Sequence, residues 1–218
     1  MDDQILYNDA FFVAFNKPTT IPTQPDLTGD SSLLQQAEAF LKVKLFVIHR
    51  LDRVASGIVI FAKTELAAAA LSKQFQARQN QKIYLAVVEN KPPKDADTLV
   101  HYLTQNPKNN TAKAYDSLQK DSKRAELAYL LRGSSDRYFL LEIQLFTGRH
   151  HQIRAQLSKI GCPIKGDVKY GARRSNPNRG IHLHASELIF EHPFTKAKIH
   201  LKAKTEDDAL WNFFMGDK

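Results

Sequence analysis

The stretch VIHRLDRVASGIVIFAK, residues 47–63, places a polar island between two apolar runs. The polar and charged side chains of this island are His49, Arg50, Asp52 and Arg53. The apolar run at 57–62 predicts a buried strand, so the island precedes a strand and lies on a loop, where catalytic side chains are commonly carried. Neighbouring guanidinium groups favour the ionised form of Asp52, which could then act as a nucleophile or a base. A surface ion pair beside a turn is the alternative interpretation.

Outward from this stretch, the spacing of apolar residues predicts both strands and helices. Strands are predicted at 5–18, 57–62, 83–89, 138–146, 181–190 and 197–204. Helices are predicted at 31–46, at 65–79 after Thr64, at 147–159 before Gly161, and in a closing segment that starts with Thr205 and Asp208. Because these elements do not repeat as regular βαβ units, the order predicts an α+β architecture, with a central mixed, mostly antiparallel sheet flanked by helices.

Length and composition limit the class of protein. The 218 residues fit a single domain over 1–218. The single cysteine, Cys162, excludes an intrachain disulfide and a cysteine-based metal site. The N-terminus has no signal-peptide pattern, and no stretch approaches the roughly 20 apolar residues of a membrane span. We therefore expect a soluble, cytoplasmic protein.

Charge points to a polyanionic partner. Lysine and arginine total 31 against 23 acidic residues, which gives a net charge of +8. Such an excess favours nucleic acid because bound cations release condensed counterions. The loop at 165–180 carries several of these cations, and we interpret it as a phosphate-contacting segment or as a plain solvated loop. Its cations are Lys165, Lys169, Arg173, Arg174 and Arg179.

A second polar island, TGRHHQIRAQL, covers residues 147–157. On a helix, His150 and Arg154 would share one face, and the N–H groups at the helix start would suit phosphate. The alternative is an amphipathic helix with a solvated basic side. Lys82 and Tyr84 are two apart at a predicted strand start and share a face, where the tyrosine could stack on a base or fill the core.

Metal and nucleotide sites are poorly supported by the sequence. The eight histidines include the neighbouring pair His150 and His151, and His182 and His184 on one predicted strand face. No HExxH or paired Cys/His spacing is present, so we predict no metal. Neither GxGxxG nor GxxxxGK[ST] occurs, which argues against Rossmann-type and P-loop nucleotide binding.

Taken together and in this order, the motifs resemble those of the RluA family of RNA pseudouridine synthases. HRLDRVASG (49–57) resembles its catalytic motif, and TGRHHQIR (147–154) its arginine motif. Further segments that resemble the family are FNKP (15–18), KIY (82–84), GDVKYG (166–171) and LHASELIFEHP (183–193). The chain departs from the usual pattern at Thr20, Gln24, Ala55 and Gln156, where Gly, His, Thr and His are common.

The resemblance implies an isomerase that breaks the N1–C1′ bond of uridine, turns the base and rejoins it through C5. It implies that Asp52 is the essential carboxylate, with Tyr84 against the flipped uracil and Arg154 as the partner of Asp52. Arg50 could fill the vacated space in the RNA. The remaining candidates for contact with the RNA are Lys82, Arg149, His150, Lys169, Arg173 and Arg174.

The expected substrate is a stem-loop of ribosomal large-subunit or transfer RNA with an exposed uridine. We expect a monomer without metal or organic cofactor, because the reaction is redox-neutral, and without an S4-like domain. The sequence leaves open whether Asp52 is nucleophile or base. Alternative functions are a catalytically silent RNA-binding module of the same fold and a glycoside hydrolase or nucleosidase, which would need a second carboxylate. Glu65, Asp167 and Glu187 are the acids near the motifs.

Overall fold

The computed structural model describes residues 1–216. Within these residues the strands are β1 (Ile5–Asn8), β2 (Phe12–Lys17), β3 (Phe46–Val47), β4 (Ser56–Ala62), β5 (Asn80–Val88), β6 (Ala96–Asn106), β7 (Thr111–Tyr115), β8 (Lys123–Ser134), β9 (Phe139–Leu145), β10 (Leu183–Glu191) and β11 (Lys198–Lys202). The helices are α1 (Leu33–Leu41), α2 (Glu65–Gln76), α3 (Gln152–Lys159) and α4 (Ala209–Met215). The predicted α+β class is confirmed.

The chain divides into two compact units. The first comprises Met1–Lys82 and His184–Glu206, and the second comprises Ile83–Leu183 and the segment from Asp207 onward. The single domain over 1–218 stays a prediction.

The first unit contains a mixed sheet. Strand β2 is antiparallel to β1 and β4, β3 is antiparallel to β4, and β11 is antiparallel to β10. Strand β4 is parallel to β10, with Ser56 opposite His184. Every residue of β4 is buried, as the continuous apolar run predicts. Helix α2 packs Ala67 and Leu71 into this core, and each large apolar side chain buried there contributes about 1.5–3 kcal/mol.

The second unit contains an antiparallel sheet in the order β5-β9-β8-β6-β7. A core beside β6, β7 and β8 includes Ala155 of α3 and Tyr170. Another core joins Val87 of β5 and Leu140 of β9 to Trp211 of α4. No described helix is long and apolar enough to cross a membrane; α2, at 12 residues, falls short of the roughly 20 that a span needs.

Several predicted helix boundaries were wrong. Helix α1 ends at Leu41 rather than at 46 because Lys42 is left-handed, with φ 55°. Helix α4 begins after Asp208, whose carboxylate accepts from the N–H groups of Leu210 and Trp211, so Thr205 is not its cap. Helix α2 begins after Thr64 as predicted but ends at Gln76.

A further wrong boundary concerns the second polar island. Helix α3 begins at Gln152, five residues later than predicted, because His151 has φ 48° and lies outside the helix. His150 therefore precedes the helix and does not share a helical face with Arg154. The helix is also not amphipathic with a solvated basic side, since every residue from Gln152 to Leu157 is buried.

Candidate active site

Asp52 lies on the loop between β3 and β4, as the sequence predicts. Leu51 and Ala55 of this loop are buried, Asp52 is half-buried and Arg50 is exposed. The Ala55 N–H donates to the Asp52 carbonyl over 3.1 Å, which closes a turn over residues 52–55. The buried neighbours fix the loop while Asp52 keeps partial access to solvent.

The turn is followed by Ser56 and Gly57, and the second of these positions requires a glycine. Gly57 has φ +109°, and a Cβ there would lie 2.3 Å from the carbonyl oxygen of Ala185 on β10. Only glycine fits, because the backbone conformation and the close strand both exclude a side chain. The Ser-Gly pair thus lets β4 lie beside β10 directly after the Asp52 loop.

Ser56 adds a side-chain bond to the same strand pair. Its hydroxyl lies 2.8 Å from Nδ1 of His184, and Nε2 of His184 lies 3.2 Å from the Ala203 carbonyl. Because a carbonyl only accepts, Nε2 carries the proton and Nδ1 accepts from Ser56. Burial lowers the pKa of His184 to about 4, so this histidine is neutral at physiological pH.

Lys17 is a fully buried cation of the first unit. Its Nζ donates to the carbonyls of Pro18, Ile21 and Arg53 at 2.8, 2.9 and 3.3 Å. Burial lowers its pKa to about 7, whereas the nearby carboxylates of Glu206 and Asp52 act to raise it. Lys17 therefore lies in the electrostatic surroundings of Asp52, and its amine is only partly protonated near pH 7. The sequence motif FNKP marked this position but gave no role for the lysine.

The Arg53 guanidinium pairs with carboxylates that precede α1. It contacts Asp30, lies 3.6 Å from Asp26, and donates to the Thr28 hydroxyl over 2.6 Å. The arginine next to Asp52 in sequence thus ties the Asp52 loop to the segment at 26–30.

Lys82 lies close to an aromatic group of the first unit. Its Nζ is 4.9 Å from the centre of the Phe75 ring, and the His49 ring stacks on Phe75 at 5.4 Å. Nε2 of His49 accepts from the Ile60 N–H over 3.2 Å. Burial lowers the pKa of Lys82 to about 8 and that of His49 to about 3. A phosphate group beside Lys82 would favour its charged form.

Arg154 of the second unit forms a buried ion pair with Asp167. Its Nε and Nη2 donate to the two carboxylate oxygens at 2.7 and 2.8 Å, and the side chains are 5% and 2% exposed. The guanidinium also lies 4.8 Å from the centre of the Tyr170 ring. Such a two-point contact fixes the plane of the guanidinium.

Tyr170 is itself fixed by two contacts. Its hydroxyl accepts from the Ala112 N–H over 2.7 Å and lies 2.9 Å from Nδ1 of His151, within hydrogen-bond distance. His151 is the residue whose left-handed backbone delays the start of α3. The turn before α3, the ring of Tyr170 and the guanidinium of Arg154 thus form one connected group.

The other predicted residues of the second unit are distributed over several elements. Tyr84 is a buried residue of β5 opposite Ile143 of β9. Nε of Arg149 donates to the Arg124 carbonyl over 3.1 Å, and the His150 ring stacks on that of His151 at 3.8 Å. The exposed cations of the loop at 165–180 include Lys169, Arg173 and Arg174.

The predicted residues therefore fall into two sets. Asp52 and Arg50 share one loop, and Lys82 lies in the same unit. Arg149, His150 and Arg154 share the turn and first residues of α3 in the other unit, where Tyr84 and the cations of 165–180 also lie. Their roles stay predictions.

Two histidines considered as metal ligands have other partners. His184 contacts Ser56 and Ala203, whereas Nε2 of His182 lies 3.0 Å from Asp208. Over residues 1–216 no group of three or more His, Cys, Asp or Glu side chains could hold a metal ion.

Two of the acids near the motifs have partners that sequence reasoning missed. Asp167 pairs with Arg154, and Glu187 contacts His200 and Lys202. A signal for the first pair was present, because Asp167 belongs to the GDVKYG segment that resembles the family.

Comparisons with known proteins agree with the motifs. The profile of the RNA pseudouridylate synthase family matches residues 11–159. Ribosomal large subunit pseudouridine synthase C of Rickettsia prowazekii is 30% identical over 212 residues, which cover 94% of this chain and 68% of that protein. tRNA pseudouridine synthase C of Vibrio parahaemolyticus is 28% identical, with coverage of 94% and 91%.

A solved structure shows the same fold. The human protein RNA pseudouridylate synthase domain containing 4 is similar with a TM-score of 0.77 at 24% identity, covering 98% of this chain and 91% of that one. The family profile covers more than half of the chain, and the Rickettsia relative matches nearly all of it. The chain therefore belongs to the RNA pseudouridylate synthase family and is an RNA-modifying isomerase.

Proposed function

We propose that this enzyme converts one uridine of ribosomal large-subunit RNA to pseudouridine, with Asp52 as the catalytic carboxylate. The observation that carries the proposal is the Asp52 loop, in which a half-buried carboxylate lies between buried residues directly before β4. Transfer RNA is the second candidate substrate. The names of the Rickettsia and Vibrio relatives support these two RNAs in turn.

Tyr84 and Arg154 complete the proposed catalytic set. Tyr84 offers an aromatic ring on which a flipped uracil can stack, and its position on β5 gives that ring a rigid support. Arg154 supplies a guanidinium whose plane is fixed by Asp167. We assign to it the stabilisation of negative charge during the reaction.

The remaining cations serve the RNA backbone in this proposal. Arg50, exposed on the Asp52 loop, would stack in the space that the uridine leaves. We assign the phosphate contacts to Lys82, Arg149, His150, Lys169, Arg173 and Arg174. We further propose a monomer that acts in the cytoplasm on a stem-loop, with no metal or redox cofactor, because the isomerisation conserves every atom and electron of the uridine.

The test uses RNA from a host strain that lacks the gene. Ribosomal and transfer RNA are incubated with wild-type protein, Asp52→Asn or the control Asp136→Asn, and pseudouridines are mapped by carbodiimide labelling and primer extension. Asp136 makes a matched control because it is an exposed aspartate in the turn between β8 and β9. We expect one site to be restored by wild type and Asp136→Asn, and at least a thousandfold lower rate with Asp52→Asn.

Retained turnover by Asp52→Asn would refute the catalytic assignment. If the restored site lies in transfer RNA, the substrate is transfer RNA and not ribosomal RNA. If wild-type protein binds RNA without restoring any site, the alternative of a catalytically silent RNA-binding module of this fold would be favoured instead.

A further inference from the structure

Thr23 contacts the backbone of the residue that precedes Asp52. Its hydroxyl accepts from the Leu51 N–H at 3.2 Å and donates to the Leu51 carbonyl at 3.1 Å. Thr23 is 3% exposed and Leu51 is 8% exposed. One hydroxyl thus supplies the acceptor for the N–H and the donor for the carbonyl of the same buried residue.

The residue that follows Asp52 is fixed from the same segment. The Lys17 ammonium donates to the Arg53 carbonyl over 3.3 Å, and the Arg53 guanidinium pairs with Asp26 and Asp30. The backbone on each side of Asp52 is therefore bonded to residues 17–30.

The segment is in turn bonded to regular structure. The carbonyls of Pro22 and Thr23 accept from the N–H groups of Leu33 and Leu34, in the first turn of α1, at 2.8 and 3.1 Å. The carboxylate of Glu206 accepts from the backbone N–H and the hydroxyl of Thr19 at 2.5 and 3.2 Å. Thr23 thus connects the start of a helix to the Asp52 loop through hydrogen bonds of 3.1 and 3.2 Å.

We propose that Thr23 is a positioning residue, which fixes the backbone of Leu51 and thereby the direction of the Asp52 carboxylate. The proposal rests on the catalytic role proposed for Asp52. A valine at this position would have nearly the shape of threonine but would leave a buried N–H and a buried carbonyl without that partner. The loop must then shift or admit water, and a displacement of about 1 Å can lower turnover about a hundredfold.

Three variants separate positioning from general damage. Thr23→Val removes the hydroxyl, Thr23→Ser keeps it, and Thr19→Val removes a hydroxyl of the same segment whose partner is Glu206 rather than the Asp52 loop. The variants are compared under steady-state conditions on the RNA that wild type modifies. We expect Thr23→Val to lower kcat at least tenfold with KM within twofold of wild type, Thr23→Ser to recover most of kcat, and Thr19→Val to stay near wild type.

Two outcomes would overturn the positioning role. One is a kcat of Thr23→Val equal to that of Thr19→Val, and the other is a rise in KM alone. If Thr23→Val does not fold, Thr23→Cys replaces it, because a thiol is a weaker hydrogen-bond partner of similar size; wild-type kcat of Thr23→Cys would then refute the role.

Asp52→Asn is measured in parallel to separate the two proposals. Active Asp52→Asn refutes the proposed function and the positioning role with it. Inactive Asp52→Asn together with fully active Thr23→Val refutes the positioning role alone.

Discussion

The Asp52 loop and helix α3, which carries Arg154, fix their candidate catalytic side chains in different ways. In the Asp52 loop, hydrogen bonds hold the neighbouring backbone, through Thr23 at Leu51 and Lys17 at Arg53. At Arg154, the charged group itself is held, by both oxygens of Asp167. The first arrangement fixes the main chain that carries the functional group, whereas the second fixes the functional group directly.

This difference predicts different consequences of mutation. If the Thr23 hydroxyl is lost, the groups left without it are the neutral N–H and carbonyl of Leu51. A water molecule can partly replace the hydroxyl as their partner. A carboxylate lost beside Arg154 leaves a buried charge, for which desolvation costs far more. We therefore expect the Asp52 region to respond mainly in catalytic rate and the Arg154 region mainly in stability.

The largest expected effect on stability is that of Asp167→Asn. Removing one partner of a buried ion pair typically costs about 3–5 kcal/mol, and Arg154 and Asp167 are both nearly inaccessible. We expect the free energy of unfolding, measured by urea denaturation, to fall by that amount. The matched control is Asp116→Asn, because Asp116 is an exposed aspartate that pairs with Lys159; it should change stability little.

Equal stability of Asp167→Asn and Asp116→Asn would show that the buried pair is not a stabilising element of the second unit. The proposed contrast between the two regions would then fail, since both would tolerate the loss of a partner.

The next effect concerns acid stability and the bond between Ser56 and His184. Burial lowers the pKa of His184 to about 4, against about 6.5 in an unfolded chain. Below pH 6.5 the unfolded chain gains a proton that the folded chain does not bind, so stability falls as pH decreases from 6.5 toward 4. This single group accounts for about 3 kcal/mol over that window.

The measurement is the free energy of unfolding at several pH values for wild type and His184→Gln. Glutamine cannot titrate, so its curve should be flatter between pH 6.5 and 4, although its stability at pH 7 is lower because the bond to Ser56 is lost. Parallel curves for the two proteins would contradict the buried neutral state of His184.

How much the sequence revealed differs between the two regions as well. The position of Asp52 on a loop before a buried strand followed from the apolar runs alone, because each run is continuous and short. The burial of Arg154 did not follow from the sequence pattern, since a basic residue at helical spacing ordinarily indicates a solvated face. Its partner Asp167 is 13 residues away, and only the fold brings them together.

Strands β6 to β8 were missed although their pattern is regular. Leu99, His101 and Leu103 alternate as buried residues of β6, but the polar histidine interrupts the apolar series. The late start of α3 could not be predicted for another reason. The left-handed backbone of His151 does not change the pattern of apolar and polar residues.

Of the departures from the family pattern, the structure explains two. Gln156, where a histidine is common, is fully buried and donates to the Leu99 carbonyl and to His101 at 3.1 Å each, so the amide is satisfied. Thr20, where a glycine is common, has φ +67°. Glycine tolerates this left-handed conformation, whereas a β-branched residue rarely adopts it.

The smallest expected effect is therefore a gain in stability from Thr20→Asn. The left-handed conformation costs an ordinary residue about 1–2 kcal/mol, and asparagine tolerates it better. We expect the free energy of unfolding to rise by about 1 kcal/mol. The reverse change in the second unit, Asn110→Thr at φ +51°, should lower it by a similar amount. If the two changes in the free energy of unfolding have opposite signs, the effect comes from the backbone conformation alone. A loss with Thr20→Asn would instead mean that the threonine side chain contributes contacts worth more than the strain it causes.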